Sequence, residues 1–134
     1  MMKFMLDTNI CIYIIKKKPQ KVLEHFRRCL AGDIGISSIT LAELQYGVAK
    51  SQHVQENQEA LKEFVLPLEI AQFDEDAARV YGTVRAGLEK SGKPIGAMDT
   101  LIGAHALSLG LTLVTNNTKE FKQIKKIKVV DWTL

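Results

Sequence analysis

The chain has 134 residues, of which 46% are hydrophobic and 25% charged, and it carries a formal net charge of +3. This composition excludes a disordered chain, and no apolar run approaches the ~20 residues of a membrane-spanning helix. The length fits one domain, residues 1–134, with a real core. No stretch of signal-peptide length precedes Asp7, so a cytoplasmic protein is expected.

In chain order, Phe4-Met5-Leu6 is a short apolar run that stops at Asp7 and reads as the first strand. Thr8 to Ile15 follows as a short helix. Pro19 suits a first helical turn, and Val22, Phe26 and Leu30 recur every four residues as one helical stripe. Gly32-Asp33 marks a turn before a second strand, Ile34 to Ser37. Ser38 or Thr40 is a candidate cap for a helix running to about Lys50, and Val54 to Val65 is the next helix, closed by Pro67. Leu68-Glu69-Ile70 is a weak strand. Asp74 caps the longest helix, with Ala77, Val80, Tyr81, Val84 and Leu88 on one face and Gly92 as its stop. Lys93-Pro94-Ile95-Gly96 leads into a mostly apolar helix through Leu109. Leu111 to Thr115 and Lys128 to Asp131 complete the strands. Strands separated by helices argue for an α/β fold with a parallel sheet covered on both sides, whose ligands bind beyond the carboxyl ends of the strands.

Oxygen-bearing side chains stand at those ends. Asp7 closes the first strand, Glu43 follows the second, Asp99 opens the apolar helix, and Asn117 follows Leu111–Thr115 with Glu120 close behind. Each has an ordinary structural explanation: Asp7 as a helix cap, Thr40-x-x-Glu43 as a capping box, Asp99 as an acid favoured by the helix dipole, and Asn117 as a turn residue. Together they predict acids collected at one sheet edge. Such acids repel unless one takes a proton or a cation binds, and an all-oxygen set selects Mg²⁺ or Mn²⁺ over zinc. Cys11 and Cys29 have no partner at metal-ligand spacing and read as buried free thiols. His105, roughly 240° around the helix from Asp99, reads as packed rather than ligating. Trp132 is expected to cover the sheet's end. Two basic runs, Lys16 to Arg28 and Lys119 to Lys128, would suit a nucleic-acid backbone.

The stretches Leu6-Asp7-Thr8-Asn9, Ser38-Ile39-Thr40-Leu41-Ala42-Glu43-Leu44, Pro94-Ile95-Gly96-Ala97-Met98-Asp99 and Val114-Thr115-Asn116-Asn117 together resemble the ordered signature of PIN-domain ribonucleases. The similarity is closest to VapC toxins of VapBC toxin–antitoxin pairs and spans essentially the whole chain. It implies a three-layer α/β fold with a five-stranded parallel sheet in the order 3-2-1-4-5. It also implies a Mg²⁺-dependent endoribonuclease, with Asp7, Glu43 and Asp99 as acidic metal ligands. The family's fourth acid falls at Asn117, which brings no charge, so Glu120 is the substitute candidate. Thr8, Asn9, Ser38 and Thr115 would orient the acids, and Lys93 and Arg85 are candidate RNA contacts. The resemblance further implies a VapB-type antitoxin, a homodimer, a larger complex with the antitoxin, and a tRNA substrate, with initiator tRNA favoured.

Two competitors fail on their own motifs. An aspartyl phosphatase needs an acid where Asn9 stands, and a P-loop needs Ser or Thr where Pro94 follows Lys93. A non-catalytic PIN-like binding module, and a PIN ribonuclease outside any toxin–antitoxin pair, are the remaining alternatives.

Overall fold

The computed structural model describes residues 1–134. Its elements run β1 (Phe4–Leu6), α1 (Thr8–Lys16), α2 (Gln20–Arg28), β2 (Ile34–Ser37), α3 (Ser38–Ala49), α4 (Val54–Val65), β3 (Glu69–Ala71), α5 (Glu75–Lys90), α6 (Ala97–Ser108), β4 (Thr112–Val114), α7 (Thr118–Phe121) and β5 (Lys128–Val130). The strands form one sheet ordered β3-β2-β1-β4-β5, with every pairing parallel. This is the α/β architecture expected above.

The strands are apolar because both faces of the sheet are covered. Alternation along each strand sorts the core into two layers. Leu6, Ile36 and Val114 face one way and pack with Ile10 and Ile14 of α1, Val22 and Leu23 of α2, Leu44 of α3 and Leu61 of α4. Met5 and Leu113 face the other way, against Leu88 of α5, Ile102 and Ala106 of α6, Phe121 and Ile124. Gly103 permits the second layer: a Cβ there would sit 2.5 Å from Ile124 Cδ1 and 3.3 Å from the Phe121 ring. The segment carrying Glu120 therefore rests directly on α6.

Several expectations need correction. Leu30 lies beyond the end of α2 and is 73% exposed, so the helical stripe stops at Phe26. The cap of α3 is Ser37, whose Oγ accepts from Ile39 N–H at 3.0 Å, not Ser38 or Thr40. Strand β2 runs into α3 with no loop between them, so the capping position moves back onto the last strand residue. The Thr40–Glu43 capping box is consequently not formed, because Thr40 is already inside the helix. Helix α7 was not anticipated. Both cysteines are free, but only Cys11 is buried. Trp132 is buried, with Phe4 edge-on to it and His25 stacked on it at 5.6 Å between ring centroids. No helix is long and apolar enough to cross a membrane.

Candidate active site

Parallel strands end together, so β1, β2 and β4 deliver their following residues to one edge. Asp7 leaves β1 at that edge and is 4% exposed. Its backbone adopts extended geometry as the cap of α1, and its Oδ1 accepts from Ile10 N–H at 2.9 Å. The helix-cap explanation of Asp7 is thus true, and it also fixes where the carboxylate stands. Burial pushes the Asp7 carboxyl above its usual range. Hydrogen bonds from the Thr115 side chain and the Ile10 backbone pull the other way, and the charge of Glu43 adds to the upward push.

Glu43 lies on α3, half-buried, and accepts a short hydrogen bond from the Thr8 hydroxyl. Asp99 lies in the first turn of α6, also half-buried. Burial, the charges of Glu120 and Asp7, a hydrogen bond shared with Glu120 and the charge of Glu43 together push it up to about 6. Glu120 lies on α7 and reaches across to the start of α6. Its Oε1 accepts from Gly96 N–H at 3.1 Å, and its Oε2 accepts from the Asn117 amide.

The structure therefore brings Asp7, Glu43, Asp99 and Glu120 into one electrostatically coupled group. No Lys or Arg neutralises it: the ion pairs are Arg79–Asp76 and Arg85–Glu89, both exposed on α5. The acids ring the edge without closing on one point, since no three His, Cys, Asp or Glu side chains stand where a single ion could take all of them. Glu43 is turned to Thr8, and Glu120 to Gly96 and Asn117. The donor set is nonetheless all oxygen, crowded and unneutralised, which suits a hard divalent cation.

The remaining candidates separate. Thr115 is fully buried, acts on the Asp7 carboxyl to lower it, and accepts from Asn117 N–H at 2.9 Å. Asn9 is exposed and reaches Asp7 through its backbone amide. Ser38 does not touch the acids; its Oγ accepts from Phe73 N–H at 3.1 Å. Arg85 is exposed and engaged by Glu89 and Tyr81, and Lys93 is exposed in the loop before α6. Beside Glu43 a cavity of about 360 Å³ opens between α1, α3 and α4, walled by Ile12, Ile15, Leu44, Val48 and Leu61 with Lys16 at its rim. Sequence reasoning left Ser37 out of the site's surroundings. Its signal was the strand-to-helix junction itself, where an N-cap hydroxyl is the preferred residue.

Comparison with known proteins identifies the family and the fold. The PIN domain family matches residues 4–127. A tRNA(fMet)-specific endonuclease VapC of Shigella flexneri is 45% identical over 133 residues, covering 99% of this chain and all of that one. Among solved structures, DNA-bound VapBC from Salmonella typhimurium superposes with a TM-score of 0.93 at 45% identity, covering 98% of this chain and 99% of that one. VapBC2 from Rickettsia felis, bound to a promoter DNA fragment, gives 0.91 at 46% identity, with the same coverage of each chain.

Proposed function

Because the chain belongs to the PIN domain family, among the VapC endoribonucleases, we propose that it is the toxin of a VapBC-type pair and cleaves tRNA, initiator tRNA first, with Mg²⁺ as cofactor. The observation that carries this reading is the convergence of Asp7, Glu43, Asp99 and Glu120 at one sheet edge with no basic side chain to neutralise them.

Asp7 and Asp99 would hold the ion, with Glu43, Glu120 and Asn117 as the further oxygen donors at the same edge. When bound, the divalent ion supplies Lewis-acid chemistry, making water a nucleophile near neutral pH and offsetting charge on the phosphodiester. The protein's own part is positional. Thr115 and the Ile10 amide keep Asp7 pointed at the edge, and Thr8 holds Glu43. The Asp99 carboxyl, raised to about 6 by burial and by the charges of Glu120, Asp7 and Glu43, is the acid that a bound cation would relieve most. In-line attack by water leaves a 5′-phosphate and a 3′-hydroxyl. Mn²⁺ should substitute, since the ligands are hard oxygens.

The partner follows from the relatives, which are solved as VapBC complexes. We assign the groove beside Glu43 to the C-terminal segment of a VapB-type antitoxin, a basic residue of which would approach the acids. A homodimer that forms a larger complex with the antitoxin is the assembly this implies, in the cytoplasm.

The test is to sequence RNA ends after incubating total tRNA with the purified protein and Mg²⁺. New 5′-phosphate ends in initiator tRNA should appear with the wild type and vanish with Asp7→Asn. Equal cleavage by Asp7→Asn removes the metal-site assignment, and cleavage confined to other RNAs removes the substrate.

A further inference from the structure

Asp99 and Glu43 come from different helices, and nothing in either helix alone sets the distance between them. One buried side-chain hydrogen bond ties α6 to the start of α3. His105 Nδ1 lies 2.7 Å from Ser37 Oγ, with both residues 1% exposed or less. His105 is six residues beyond Asp99 on α6, and Ser37 is six before Glu43 at the head of α3. The same corner holds the loop after β3. Phe73 packs edge-on to the His105 ring at 5.3 Å, and its N–H donates to Ser38 Oγ.

Ser37 has two tasks. Its Oγ accepts from Ile39 N–H as the cap of α3. Its single hydroxyl proton is then free for His105 Nδ1, which leaves the remaining ring proton on Nε2. That atom is buried with no partner at full hydrogen-bond geometry, and only the Gln72 backbone acts on the ring proton. An apolar side chain of similar size would avoid leaving a ring nitrogen unpartnered in the interior. Packing alone therefore gives no reason for histidine here, and the full-geometry bond of its ring is the one to Ser37.

We propose that His105 is a positioning residue, whose bond to Ser37 sets where α6 presents Asp99 relative to Glu43. This rests on the reading of those two acids as cation ligands. Ser37 and His105 touch neither substrate nor ion. They act through the relative placement of two helices, and an error of about 1 Å in such placement can cost on the order of 100-fold in rate.

The experiment compares wild type, His105→Leu, His105→Asn and Ser37→Ala. Four quantities are read on each: thermal midpoint, affinity for Mg²⁺ alone by calorimetric titration, and kcat and KM on tRNA. His105→Leu keeps the bulk and loses the bond. It should fold, bind Mg²⁺ about tenfold more weakly, and lose roughly 10–100-fold in kcat with little change in KM. His105→Asn can place a hydrogen-bonding atom near the position of Nδ1, and should recover most of both losses. Ser37→Ala reaches the same bond from the other side and covers the case in which His105→Leu does not fold. Its Mg²⁺ affinity and kcat should fall at least as far as in His105→Leu, because the α3 cap is lost with the bond, and the double variant should be no worse than Ser37→Ala alone. Wild-type Mg²⁺ affinity and kcat in every folded variant overturn the proposal, as does equal loss in His105→Leu and His105→Asn. If the wild type itself fails to cleave RNA, the nuclease reading falls, and the Mg²⁺ titrations alone still decide whether the bond places the acids.

Discussion

At the carboxyl end of the sheet the chain gathers four acids with no basic partner, whereas beneath the α1/α2 face it gathers almost nothing polar. In that second region Trp132 lies against Phe4 and His25, over a layer that includes Leu6, Ile10, Val22 and Ile36. Both regions hang on β1, which contributes Leu6 to the layer and Asp7, the next residue, to the acids. The apolar layer stabilises the fold, and the acidic edge works against it. A site able to hold a cation is one the protein tolerates at the expense of its own stability, so substitutions in the two regions should have opposite signatures.

The largest effect expected on stability comes from the apolar layer. Trp132→Ala should cost about 3–5 kcal/mol in urea unfolding, because it removes a buried ring and leaves a cavity. Cleavage per folded molecule should be unchanged. If activity were lost while stability held, the two regions would not be separable.

Asp99→Asn should show the inverse. Cleavage should fall on the order of 100-fold or more, while the thermal midpoint stays level or rises, because the substitution relieves a half-buried acid crowded by Glu120, Asp7 and Glu43. A large fall in midpoint would mean that Asp99 supports the fold instead of opposing it.

The acids also predict a pH dependence. Asp7 and Asp99 are both raised in the folded chain, so the folded state holds protons that the unfolded state has already released. Their contribution is most favourable below about pH 4. It is lost as pH rises through the folded value of Asp99, about 6. Unfolding without divalent cation should therefore show stability falling between these values, and Asp99→Asn should flatten the fall. A profile unchanged by that substitution would place the titration elsewhere.

A smaller effect should come from Thr115→Val, which keeps the shape and removes the hydroxyl between Asp7 and the Asn117 amide. About 1–3 kcal/mol of stability should be lost, because buried polar partners are stranded, and cleavage should weaken. The smallest belongs to Arg85→Ala. Its ion pair with Glu89 is exposed, so stability should shift by less than about 1 kcal/mol. A marked loss of tRNA affinity in that variant would reveal a substrate contact on α5.

The sequence disclosed these regions unevenly. The Asp74 cap, the Val54–Val65 helix and the apolar strand ending in Asp7 were legible because each depends on local chemistry. The strand order was not: strands of three or four residues carry too little periodicity to rank neighbours, and the order came with the resemblance. Ser37 escaped because β2 and α3 abut, which makes one residue both strand end and helix cap. Leu30 misled because its four-residue spacing continues past the point where α2 ends at Arg28. The Thr8 bond to Glu43 and the hold of Gly96 on Glu120 join residues from separate elements. Only the tertiary arrangement brings these together, and no spacing rule announces them.

The most direct test of the central claim, that these acids form a cation site, is thermal unfolding at pH 7 with and without millimolar Mg²⁺, in wild type and in the Asp7→Asn/Asp99→Asn double variant. The account predicts that Mg²⁺ raises the wild-type midpoint by several degrees, as ligand linkage requires, and leaves the double variant where it was. An equal rise in both, or none in the wild type, would contradict it.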